Sequence, residues 1–207
     1  MLKLIKSIIF SVVLASTCAM SAQASASLTA FPTVKAASPG AGSIQTAERV
    51  VKLLGNLLSR AQIPFQGELR LTKKQGFHAE AFFGSPGYIE LGEAYANQLT
   101  DGELTFVISH ELAHLLSDHQ ARLIDAYDKK KSAGLSVAAQ SDPTQLAVLH
   151  RDLELDADRI GAAWTVRAGF SAADAASALE RAYSTAQQSA GTHPALKVRT
   201  SALLLVR

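Results

Sequence analysis

The stretch His110-Glu111-Leu112-Ala113-His114 combines the residue types that a metal-assisted hydrolysis needs. Histidines four positions apart on a helix project from one face, one turn separated, so their imidazoles can converge on a single ion. The glutamate between them lies beside that ion, where it can act as general base toward an attacking water. The plainer reading is a pair of histidines satisfied within a helix core. The setting favours the metal. Thr100-Asp101-Gly102-Glu103 is a capping box, and the helix it opens carries LTFVISHELAHLLSDH, whereas a fortuitous match rarely falls inside a capped, apolar helix.

A catalytic zinc requires a third protein ligand and one open position. A metzincin continuation would place glycine and histidine where this chain has Ser117 and Gln120, and the short-spaced thermolysin and aminopeptidase patterns would place glutamate near Ala133 or Gly134. Neither is present. A later helix offers Glu154-Leu155-Asp156-Ala157-Asp158-Arg159-Ile160-Gly161. Its Glu154 and Asp158 share a face with Gly161 beside an apolar stripe of Leu146, Leu149, Leu153, Ala157, Ile160 and Trp164. Carboxylates so placed either meet a compensating cation or form a solvated face paired with Arg151 and Arg159. The spacing leaves both readings open. His150, one turn before Glu154, is the geometric rival as ligand. His119, five residues beyond His114, is expected off the metal face, and His78 in a strand without an acidic partner. Both read as structural or surface residues.

These side chains must be positioned by a short series of elements. Ile44 to Arg60 has apolar residues at helical spacing, closed by Pro64. Between Gln66 and Leu91, the runs GELRL, FHAEAFF and YIEL alternate with the turn compositions KKQG and GSPG, which predicts a small antiparallel sheet of about three strands. The edge strand is expected around Tyr88 to Leu91. The zinc helix follows, then a polar stretch after Arg122 that reads as a frayed helix end and loop. Asp142-Pro143 opens a second long helix that runs to Ala168 and stops at Gly169. Ser171 to Asp174 caps a third, alanine-rich helix through about Gln188, and an apolar tail ends the sequence.

The chain has 207 residues, 20 basic and 18 acidic residues and a formal net charge of +2, enough for one core and too balanced for a nucleic-acid-binding surface. Lys3 and Lys6, an apolar run from Ile8 to Ala15 and the small-residue sites Ala22-Gln23-Ala24 and Ala24-Ser25-Ala26 read as a secretory signal peptide over residues 1–26. Residues 27–43, rich in Ser, Ala, Thr, Pro and Gly, are expected to be a flexible leader, and residues 44–207 the folded domain. The single cysteine, Cys18, falls in the signal segment, so a metal site in the mature chain uses nitrogen and oxygen ligands. A periplasmic or secreted protein without a transmembrane segment is expected.

HELAH followed some forty residues later by ELDADRIG resembles the gluzincin metallopeptidases of the HtpX and CAAX prenyl protease type, metallopeptidase family forty-eight, whose second motif is E-x-x-x-D on a following helix. AFFGSPGYIELGEAYANQLTDGEL before the first motif, and RAGFSAADA and THPALKVR after the second, extend the resemblance over about Phe77 to Arg199. It implies an α+β, mainly helical, zincin-like domain with its small sheet packed on the HExxH helix. It further implies one zinc ion per chain held by His110, His114 and Glu154, with Glu111 as general base. Asp158 would accept from a ligand histidine, His193 would lie near the metal and could donate to the oxyanion, and Arg199 would pair with an active-site carboxylate. The chain departs from the family in lacking further long hydrophobic segments and in having Glu80 where asparagine often precedes Ala-Phe.

The function expected is zinc-dependent hydrolysis of peptide bonds in exported, unfolded or flexible polypeptides, with envelope protein quality control implied by the resemblance. The competing class is a non-catalytic zinc-containing module that binds exported polypeptides in a chaperone-like way. A helical domain with a fortuitous HExxH is the third.

Overall fold

The computed structural model describes residues 33–36, 41–74, 76, 78–132, 143–185 and 193–203. Strand β1 (Thr33–Ala36) leads into helix α1 (Ala41–Ala61), then β2 (Glu68–Thr72), β3 (Ala79–Phe82) and β4 (Tyr88–Gly92). Helices α2 (Glu93–Gln98), α3 (Asp101–Leu116), α4 (His119–Ser132), α5 (Pro143–Arg167), α6 (Ala172–Thr185) and α7 (Leu196–Leu203) follow. The α+β class is as expected. The signal segment and the residues around Gly134 lie outside the described residues.

The sheet differs from the expected antiparallel one. It has four strands in the order β1-β2-β4-β3, with β1 and β4 both parallel to β2, and only β3 antiparallel to β4. The physical reason is the placement of β4. The chain after β2 crosses to the outer position as β3 and returns through the hairpin as β4, which inserts between β3 and β2 and so runs parallel to β2. Alternating burial reads the same for either direction, so the spacing could not distinguish them. Thr33–Ala36, expected in a flexible leader, is a strand because the α1 crossover returns the chain beside the same edge of β2, forming a βαβ unit.

Leu69, Leu71, Ile89 and Leu91 are fully buried on one sheet face, against Val50, Leu54 and Leu57 of α1. Each such side chain contributes about 1.5–3 kcal/mol. On the other face Arg70 stacks on the Tyr88 ring at 3.6 Å, and Tyr88 lies 4.8 Å from Phe82 in a parallel stack.

Helix α3 is buried along nearly its whole length, from Gly102 to His110 and again at Leu112 and Ala113. It packs against α5, α6 and β3. The capping box forms as read: Thr100 Oγ1 accepts from Glu103 N at 3.2 Å, and Glu103 Oε2 accepts from Thr100 N at 2.8 Å. Helix α5 ends in a Schellman turn, with Phe170 N on Thr165 O, Gly169 N on Val166 O and Gly169 at φ 99°. At α6, the Asp174 carboxylate accepts from Ser171 N and Ser171 Oγ accepts from Asp174 N, a reciprocal cap.

Candidate metal centre

Helices α3 and α5 pass close to one another at Gly161. A Cβ there would stand 2.9 Å from His110 N and 3.1 Å from His110 Cα, closer than packed atoms allow. Glycine at this position therefore lets Glu154, two turns earlier on α5, reach the histidines of α3. Thr165 Oγ1 donates to Gly161 O at 2.8 Å, which keeps its polar atom satisfied within the same contact.

At this contact the Nε2 atoms of His110 and His114 lie 3.1 Å apart. Glu154 Oε1 stands 3.4 Å from His114 Nε2, and Glu154 Oε2 3.7 Å from His110 Nε2. A tetrahedral zinc with bonds of about 2.0–2.1 Å has ligand atoms about 3.3–3.4 Å from one another. Two imidazoles and one carboxylate at this spacing suit that ion, and the three residues form a group that can hold one. His150, the rival ligand, lines the same cleft but is not part of that group, and its buried Nδ1 has no hydrogen-bond partner.

The surrounding charges are arranged around the three. Arg199 clamps Asp158 with two hydrogen bonds of 2.6 Å, and Asp158 Oδ1 lies 3.1 Å from His110 Nδ1. The Asp158 side chain is 0 % exposed and that of Arg199 8 %, so the pair is isolated from water. Arg199 Nη2 also approaches Glu154 Oε2 at 3.5 Å, and His193 Nδ1 reaches the same oxygen at 3.0 Å. Burial pushes the Glu154 carboxyl up, but its contacts with His114 and His193 and the charges of His110 and Arg199 overcome this and hold it well below the usual range. Asp158 is likewise held low against its burial by Arg199 and His110. Glu111 behaves oppositely. Its burial outweighs the nearby histidines and the amide of Ala81, and its carboxyl is pushed up.

The structure thus brings His110, His114, Glu154, Asp158, His193 and Arg199 together, with Glu111 in the wall of the same cleft. The cleft has a volume of about 900 Å³ and is bordered by Ala79, Glu80 and Ala81 of β3. The strand at the sheet edge beside α3 is therefore β3, not the Tyr88–Leu91 segment, which lies between β2 and β3. His78 also departs from expectation: β4 brings Glu90 within 3.3 Å of its Nε2, and Lys74 joins them.

His119 stands off the metal face as expected, outside the ligand group, but it is buried at 1 % exposure and its Nδ1 lies 3.0 Å from His114 Nδ1, a contact that the sequence spacing did not show. The expectation assumed one unbroken helix. Instead α3 ends at Leu116, Asp118 takes φ 52° and α4 begins at His119, so the chain turns back on itself. Ser117-Asp118 was the available signal, since aspartate tolerates the left-handed conformation better than most residues.

The family model described as Peptidase family M48 matches residues 44–206. Searches of curated proteins and of solved structures return no match.

Proposed function

The chain belongs to peptidase family M48, a family of zinc-dependent metallopeptidases, and from this we infer that it hydrolyses internal peptide bonds in exported, unfolded or flexible polypeptides. One observation carries the reading. His110, His114 and Glu154 converge at a zinc-like spacing in the wall of a cleft that also holds Glu111 and runs along a sheet edge.

When bound there, zinc would polarise the scissile carbonyl and lower the pKa of the attacking water. The Glu111 carboxylate takes a proton from that water as its oxygen adds to the carbonyl carbon, and returns it to the leaving amine nitrogen as the tetrahedral oxyanion collapses and the C–N bond breaks. Burial favours the protonated form of Glu111 more than in water, which suits a group that must pass its proton on. His193, half exposed beside Glu154, is the residue placed to donate to the oxyanion. Asp158, held by Arg199, fixes the ring and tautomer of His110.

Strand β3 has a free edge among the described strands, and an extended substrate would pair with its main chain. A strand-like pose demands an unfolded or flexible segment, which supports the substrate class. Export rests on the order of Lys3, Lys6, the apolar run and the small-residue sites. Among the described residues no helix is long and apolar enough to cross a membrane.

Zinc content and casein cleavage, measured before and after chelation, test the reading together. The expected result is about one zinc per chain with cleavage lost on chelation and restored by zinc. Bound zinc with no cleavage of any unfolded substrate would favour the chaperone-like module. No bound zinc would contradict both.

A further inference from the structure

His114 uses Nε2 toward Glu154 and His110, so in the metal-binding form its proton sits on Nδ1. The atom facing that proton is His119 Nδ1, at 3.0 Å. A neutral imidazole has one donor and one acceptor, so His119 Nδ1 must accept and its own proton must lie on Nε2. That nitrogen faces Asp156 Oδ2 at 3.4 Å, and Asp156 is in turn paired with Arg159. One proton arrangement is compatible with all these approaches, of which the 3.4 Å one from His119 Nε2 to Asp156 is a close approach and not a formed hydrogen bond.

We propose that His119 and Asp156 are positioning residues for the metal ligand His114, with the His119 ring relaying the hold of a carboxylate that does not reach His114 itself. The two ligand histidines are then supported in parallel. Asp158, clamped by Arg199, holds His110 directly, and Asp156, clamped by Arg159, holds His114 through His119. The break at Asp118 serves this purpose, because it is what returns His119 to the ring one element earlier. Without an acceptor on Nδ1, the His114 ring is free to rotate away from the ion and its Nε2 becomes a weaker donor. Losing such an outer partner typically lowers metal affinity about 10–100-fold.

The inference rests on the metal-site reading above. Its test is a competition titration of zinc against a chromophoric chelator, using the full chain with His119→Leu, His119→Asn and Asp156→Ala. Leucine fills the space without an acceptor, whereas the asparagine Oδ1 stands close to where Nδ1 stood. His119→Leu is expected to bind zinc about 10–100-fold more weakly, His119→Asn within about threefold of wild type, and Asp156→Ala about 3–10-fold more weakly. Urea unfolding of the metal-free proteins separates these losses from loss of fold, and if His119→Leu does not fold, Asp156→Ala carries the test. Unchanged affinity in His119→Leu or Asp156→Ala, or equal loss in the leucine and asparagine variants, overturns the proposal. A wild type that binds no zinc overturns the metal-site reading instead, and this inference with it.

Discussion

Replacing Glu154 and His150 in turn separates the two side chains that α5 presents one turn apart. Glu154→Ala should weaken zinc binding by at least about 100-fold, because it removes one of three ligands, while His150→Ala should leave it within a few-fold. Isothermal titration with zinc checks this, and equal losses would assign the wrong ligand. Arg199→Met addresses the support behind the ligands. It strands the fully buried Asp158 with only His110 for compensation, and breaking a buried pair in this way costs about 3–5 kcal/mol. Denaturant unfolding of the metal-free protein should show that loss, and a change below about 1 kcal/mol would mean that water reaches Asp158 after all. At this scale the chain was legible in parts. His110, Glu111 and His114 follow from helical spacing alone. Glu154 and Asp158 could not be separated from a solvated face without the second motif, because burial of a carboxylate depends on the partner helix. His119 was hidden by a single left-handed residue.

The elements that bring these residues together meet where α5 has no side chain. Gly161→Ala would push a methyl against the His110 backbone, which cannot swing aside as a flexible side chain can. Separation of α3 from α5 should cost about 1–3 kcal/mol in stability, and zinc affinity should fall about tenfold as Glu154 retreats. Wild-type values for both in a titration and a melt would show that the helices can re-pack. The α3 N-terminus sets a second, pH-dependent constraint. Burial pushes Glu103 up, but Ser177, the Thr100 amide and Arg181 outweigh it and hold the carboxyl below its usual range. The unfolded chain therefore binds the extra proton first as pH falls. The stabilisation is fully present above the unfolded value of about 4.3 and is lost as pH drops through the lower folded value. Glu103→Gln should remove part of it at pH 7 and flatten the acid limb, read from denaturant midpoints between pH 3 and 7. An acid limb as steep as wild type would assign it to other carboxylates. The starts of α3 and α6 and the stop of α5 were readable because those caps are local, whereas the break between α3 and α4 was not. Sheet order was not, because strand direction depends on where β4 finds a free neighbour.

Across the whole molecule, one face of the sheet and the α1 helix form a core behind α3, while the edge strand β3 and the helices α4 to α7 leave the opposite side of α3 open as the cleft. That division puts the three candidate ligands on helices and the proposed substrate-pairing edge on a strand. The proposed export is checked separately by mass spectrometry of the mature N-terminus, expected near Ser25 or Ser27, and a chain retaining Met1 to Ala22 in a membrane pellet would contradict it. The central claim is that one partly buried carboxylate, Glu111, moves the proton while three other side chains hold the metal. The direct measurement is casein cleavage by Glu111→Gln at matched zinc loading. Glutamine keeps the shape of the side chain but cannot accept and return a proton, so zinc should remain near one per chain while cleavage falls by about 100-fold or more. A fully zinc-loaded Glu111→Gln protein that cleaves at the wild-type rate would contradict the account.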